Sequence, residues 1–447
     1  MEGDAPMKRC LKKCICAVLA VLLCLTMAGC FGTTADELYR LPRSSERSTR
    51  IQRSIDERLV SGLEFSAPVA GYNRQAIQQY DLDGDGIQEV IAFFRTEGDA
   101  PLEIDIIRET GGEYQLAAQI FGEGRAVDSV QYSDMDGDGV CELLVGWQMS
   151  TLAKVLDIYS IRDYQPVPLA ESAYGSYICC DLNGTPGDEV LILKDPGTES
   201  AGEAVAYTLM QDGEILTSSA ALSREAEAIS RVQSGETSDR HAAVFVDSIC
   251  GGGLVTDVLA MREEMLYNIV LDGQSENPTV RPLNVYCSDI DRDGVMEIPE
   301  PRQLYSQSET PYYAICWNTR TVRGFSMEKL CTYHNFTDGW YLILPEGLSQ
   351  TLTVRRLDTV SGERTVVLST VSGGGSDPTI TDCLAIYTLT GDNKAERAAM
   401  TGRFLLADDD RRLFAASILS GGKDLITEEQ IGESFSLIRT RWLTGTY

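Results

Sequence analysis

Histidine is scarce in this chain: His241 and His334 are the two it has among 447 residues. None of its 13 cysteines forms a Cys-x-x-Cys spacing, which together with the two histidines argues against zinc. Basic residues are also in deficit, 38 against 67 acidic, giving a formal charge of −29 and a pI near 4.4. That balance argues against nucleic acid as a partner and against a body lying flat on an anionic membrane. There is no Gly-x-Ser-x-Gly, no His-Glu-x-x-His, no phosphate loop and no dinucleotide fingerprint. Beyond residues 15–27 no apolar run is long enough to cross a bilayer, and that run is itself short for a span.

What the chain has instead is a recurring acidic loop. Asp81, Asp83, Asp85 and Glu89 form the first, Asp134, Asp136, Asp138 and Glu142 the second, and Asp289, Asp291, Asp293 and Glu297 the fourth. Asp181, Asn183 and Glu189 form a variant third loop, with Thr185 in place of an aspartate and Pro186 displacing a glycine. Oxygens at positions one, three, five and nine, with a backbone carbonyl at seven, converge on one hard cation, and glycine at six permits the turn. A flexible cage of several carboxylates suits calcium better than magnesium. Calcium is expected at the three full loops. At the third, an acidic turn without an ion competes with a fourth site. An EF-hand is excluded because position twelve is Ala92 in the first loop and Val145 in the second, and because the flanking sequence is strand-like. Glu300 satisfies that pattern formally in the fourth loop, but Pro299 beside it makes the match coincidental.

The first three loops lead into short apolar runs rich in β-branched and aromatic residues, 89–95, 142–147 and 189–193, which read as buried strands. Further strands follow at 102–107, 155–161 and 204–209, and others precede the loops at 127–132 and 176–180. Four strands in about fifty residues is the arithmetic of a propeller blade. A unit without ligands is expected between the third and fourth loops, with 244–247 entering a glycine turn and 254–260 leaving it. The expected fold is mainly β: a propeller of about five blades over 63–335.

Asp134-Met-Asp-Gly-Asp-Gly-Val-Cys-Glu142 followed by Leu-Leu-Val-Gly resembles the FG-GAP/VCBS repeat. The resemblance covers about residues 65–335 and implies an integrin-like β-propeller with structural calcium in hairpin loops, on the face opposite the partner-binding surface. Such propellers usually have seven blades. The order of parts is also similar to that of clostridial-type lipoproteins.

Residues 1–29 read as a signal peptide, with Lys8, Arg9, Lys12 and Lys13 ahead of the apolar run. Met27-Ala-Gly-Cys30 resembles a bacterial lipobox, which implies cleavage before Cys30 and a lipid on its sulfur. The expected location is the extracytoplasmic face of a bacterial cell membrane. Residues 30–62 form a linker and short helix, with Ile51, Ile55 and Leu59 on one stripe, Arg47, Arg50 and Arg53 beside it, and Gly62 as stop. That helix either meets anionic headgroups or packs its stripe on the propeller. From 336 to 447 the loop grammar ends, and six strand-like runs and a Thr427-capped helix predict an α+β sandwich resembling PsbP-like domains. Two additional blades are the alternative. The eight cysteines beyond Cys30 are expected as buried thiols, with Cys179 and Cys180 on opposite strand faces.

These features point to a lipid-anchored, calcium-stabilised binding or scaffold protein, more a binder than an enzyme, with a protein or glycan ligand. The alternatives are an exported carbohydrate-active enzyme using paired carboxylates and a purely structural envelope component.

Overall fold

A computed structural model of the chain describes residues 45–438, apart from 198–199, 275, 307–310 and 374–377. The expected signal segment and Cys30, the expected lipidation site, lie outside the described residues. The described chain is mainly β, built as six antiparallel sheets that follow one another in sequence. The second, third and fourth sheets, spanning 126–173, 176–221 and 228–268, are plain four-stranded meanders. In the first sheet, 64–122, the outer strand is split: Glu64–Phe65 pairs with one end of Glu89–Arg95 and Ile77–Tyr80 with the other.

The loops sit where the sequence places them, and the pairing register explains why. Each loop-closing glutamate lies directly opposite the residue that precedes the first aspartate: Tyr80 faces Glu89, Ser133 faces Glu142, Cys180 faces Glu189 and Ser288 faces Glu297. Each loop is therefore a hairpin connection whose ends are tied by the ladder. Successive loops also rest on one another, through Cys141 N–H to Leu82 O at 2.8 Å and Asp188 N–H to Asp134 O at 2.9 Å. A side chain at Gly137, where φ is +71°, would meet Pro186 at 2.6 Å. Glycine is required there for both its backbone conformation and its size.

Both faces of most sheets are apolar, because each is sandwiched between neighbours. Phe93 and Ile104 of the first sheet pack with Leu143 and Trp147 of the second. Leu144 and Leu156 pack with Val190 and Ile192 of the third, whose other face meets Val244 and Leu259 of the fourth. Phe245 and Val258 then face Ile298 of the fifth. Cys179 and Cys180 join different clusters, as alternation requires.

The outer face of the first sheet is covered by the helix Glu46–Val60, capped by Ser45. Its stripe of Ile51, Ile55 and Leu59 packs on Val90, Ala92 and Phe94. The arginines beside the stripe face protein: Arg50 and Arg53 lie 3.5 and 3.3 Å from Glu109 and Glu113, Arg47 donates to the Tyr114 hydroxyl at 2.8 Å, and Arg58 pairs with Glu103 and Asp105. The apolar stripe thus packs on the first sheet, one of the two roles expected for this helix. Among the described residues no helix is long and apolar enough to cross a membrane.

Two expectations change. In the fourth sheet, 244–247 and 254–260 belong to its second and third strands, Ala242–Cys250 and Gly253–Arg262. The turn equivalent to the acidic loops is therefore 237–241, and the glycine turn lies at the opposite end. Apolar runs look alike on every inner strand, so they do not distinguish a second strand from a third. The expected boundary at 335/336 falls within a sheet: Trp340–Ile343 pairs with Ser326–Asn335, and Phe435–Leu437 returns from the C-terminal end to pair beside it. The region 352–418 forms a sixth, five-stranded sheet whose core is continuous with the fifth, through Cys316, Tyr333, Trp340, Leu368, Ile386 and Phe414. An independent sandwich would close its own core, whereas this sheet buries its apolar face on its neighbour. The capped helix is present as Glu428–Ser434, with the Thr427 and Gln430 side chains each bonding the other's backbone.

Candidate metal centres

The first aspartate of each loop organises the turn. Asp81 accepts from Gly84 N–H and Gly86 N–H, both at 2.9 Å, and Asp134 accepts from Gly137 and Gly139 N–H at 2.8 and 2.9 Å. Asp289 accepts from Asp293 and Gly294 N–H at 3.0 and 2.9 Å, and Asp181 from Gly184 N–H at 2.7 Å. The closing glutamate binds back in the same way every time: one carboxylate oxygen accepts from Leu82, Met135, Leu182 or Ile290 N–H at 2.8 to 3.0 Å.

The other oxygen of that glutamate distinguishes the four loops. In the first, Glu89 accepts from the Tyr164 hydroxyl at 3.1 Å, and the same hydroxyl lies 2.8 Å from Asp83. In the third, Glu189 accepts from the Asn183 amide and, at 3.4 Å, from Thr208. In the fourth, Glu297 accepts from the Lys329 ammonium at 2.9 Å. In the second, Glu142 is 0% exposed and its buried Oε1 has no hydrogen-bond partner among the described residues. Burial pushes the Glu142 carboxyl up to about 7, and the neighbouring Asp136 and Asp138 charges add to the effect. Burial likewise raises Glu89, Glu189 and Glu297. At Glu297 burial outweighs the adjacent ammonium.

Candidate ligand oxygens converge within 4.8 Å of one another in three places: Asp81, Asp83 and Asp85; Asp134, Asp136 and Glu142; and Asp289, Asp291 and Glu297. Asp138 turns instead to Arg162, which lies 2.5 Å from it and 2.6 Å from Asp136. Asp293 turns to Lys329 at 2.7 Å. In the third loop the Asn183 amide nitrogen donates to Glu189, so a donor group rather than an oxygen faces the closing carboxylate. The second loop fits a hard cation best: its donors are all oxygens, and one is buried without a proton to accept. The first loop fits next, because a neutral hydroxyl neutralises none of its charge.

Arg162, Tyr164, Thr208 and Lys329 carry no mark in the sequence. Arg162 and Tyr164 share one turn, 162–164, in which Asp163 and Tyr164 adopt φ of 53° and 56°. That turn sends Arg162 to the second loop and Tyr164 to the first.

Beside the third loop lies a cavity of about 510 Å³, lined by Met135, Leu209, Met210, Leu216 and Met261, with Asp136, Glu263 and Glu264 also in its wall. It adjoins a second cavity, about 530 Å³, through Asn183, Met261 and Glu263.

No family model matches the chain, and no curated protein matches it. Among solved structures, the crystal structure of the exotype rhamnogalacturonan lyase YesX is similar at 15% identity, with a TM-score of 0.33. The superposition covers 71% of this chain and 55% of that one, so this chain spans about half the length of the lyase. At that similarity no chemistry carries over.

Proposed function

We propose that the chain is a lipid-anchored, extracytoplasmic binding protein on a propeller-like frame, with calcium at the first and second loops as a structural ion. The single observation that carries the metal reading is the Glu142 oxygen, buried without a partner in the group it forms with Asp134 and Asp136. An uncompensated carboxylate in that position is costly, and a divalent cation relieves it. Asp134, Asp136 and Glu142 would hold the ion in the second loop, and Asp81, Asp83 and Asp85 in the first. Bound calcium would supply charge compensation and tie the stacked loops together.

The ligand site we favour is the cavity beside the third loop. This departs from the expectation of a ligand on the face away from the loops. Apolar methionine and leucine walls with carboxylates among them suit a peptide that presents a basic side chain. Glycan cleavage would need two free carboxylates facing one cleft. Here Asp136 is engaged by Arg162, and Glu189 by Asn183 and Thr208, which leaves Glu263 and Glu264, consecutive residues of one turn, as the other carboxylates in the wall. The test is a peptide and glycan array probed with the wild-type protein and with Leu216→Arg, which fills the cavity. A ligand bound by the first and lost by the second supports the reading. No ligand, or one indifferent to the substitution, removes it.

A further inference from the structure

The fourth loop has the backbone of a cation site but a different occupant. Its three inward oxygens, Asp291 Oδ1, Asp293 Oδ2 and Glu297 Oε1, accept from Lys329 Nζ at 2.9, 2.7 and 2.9 Å. These are positions three, five and nine of the loop, the side chains a hard cation would use. An ammonium has three donors, and all three are taken. Lys329 is aimed there by an irregularity in the ladder: Trp317 pairs with Leu330 and Asn318 with Glu328, which leaves Lys329 as the extra residue of a β-bulge. A regular strand would point that side chain elsewhere.

The second loop differs, because Arg162 reaches Asp136 and Asp138 but not Glu142, whose Oε1 has no hydrogen-bond partner among the described residues. Calcium sits about 2.3–2.6 Å from its oxygens, so an ion bound to these three would overlap the ammonium.

We infer that Lys329 is the built-in cation of the fourth loop, replacing a divalent ion there, so that this part of the fold holds its shape without metal. Calcium withdrawal then loosens the first and second loops and leaves the fourth ordered.

Native mass spectrometry of the full chain with calcium counts the ions. Folded Lys329→Met should bind one more calcium than wild type, and Asp291→Asn should leave the wild-type count unchanged. A folded Lys329→Met that gains none overturns the inference, as does Asp291→Asn losing an ion. Should Lys329→Met fail to fold, the Asp291→Asn comparison decides alone. Both readouts are differences, so a wild-type count of zero would sink calcium at the first two loops and leave this inference standing.

Discussion

The Tyr164 hydroxyl lies 2.8 Å from Asp83, joining a turn of the second sheet to the first acidic loop across 81 positions of sequence. It also caps Glu89 at 3.1 Å. Tyr164→Phe removes the one hydroxyl proton the two carboxylates share and leaves the buried Glu89 oxygen bare, which should cost about 1–3 kcal/mol in chelator. Added calcium should recover part of the loss. Urea unfolding with and without calcium checks this, and an equal loss in both conditions would contradict a metal at the first loop.

Glu142 gives the sharpest sign test. In chelator, Glu142→Gln removes a buried unpartnered charge and should raise the melting temperature. With millimolar calcium the same substitution removes a ligand and should lower it relative to wild type. Each occupied site is expected to add roughly 0.4–1.4 kcal/mol if its affinity is that of an extracellular module. Calorimetry in the two buffers reads both signs, and a shift of the same sign in each would remove the ion from this loop.

Arg281 and Asp247 form an ion pair at 2.8 Å with side chains 1% and 0% exposed. Arg281 also donates to the Val285 and Thr279 carbonyls and to the Thr256 hydroxyl, while Asp247 accepts from Cys287 N–H at 3.1 Å. Arg281→Met strands the carboxylate and should destabilise by about 3–5 kcal/mol. Adding Asp247→Asn should recover part of that. Denaturant midpoints of the single and double variants measure the coupling.

His334 is buried against Trp317, Phe336 and Tyr341, its Nε2 2.9 Å from the Thr332 hydroxyl. Burial lowers its pKa from 6.5 to about 3. Between those values the unfolded chain takes up a proton that the folded chain refuses. The stability this group contributes is full above pH 6.5 and declines as pH falls toward 3, by up to ~1.4 kcal/mol per unit. His334→Gln should flatten the acid limb between pH 6 and 4. An unchanged slope would mean the imidazole is solvated.

Cys316 and Cys331 face each other across paired strands with their sulfurs 2.7 Å apart. The adjacent Cys331 sulfur and burial hold the Cys316 thiol above its usual range. Oxidised glutathione should link the two slowly, both thiol hydrogens and the electrons going to form two glutathione thiols. Peptide mapping without reductant should find the 316–331 link. Its absence after prolonged oxidation would fit the expectation of thiols that stay reduced.

The hairpins were legible in the sequence because their information is local. Asp134 to Glu142 contains the turn glycines, the organising aspartate and the closing glutamate in one stretch, and the ladder pairs Ser133 with Glu142 as that spacing requires. The stripe of Ile51, Ile55 and Leu59 likewise defines a helix before any partner for it is known. What alternation cannot state is which neighbour a strand buries against. The return of Phe435–Leu437 to the fifth sheet, and the fusion of the sixth sheet to it, were therefore decided by packing.

The occupants of the loops belong to the same category. Sequence alone determined four oxygen-lined turns, since ligand spacing along one hairpin is a property of consecutive residues. Only the tertiary structure decided that Tyr164 meets the first, that Glu142 Oε1 meets no partner among the described residues in the second, that Asn183 turns inward in the third and that Lys329 fills the fourth. Three of those partners or vacancies depend on strands and turns brought close by sheet formation, and a distance through space is not written in separation along the chain.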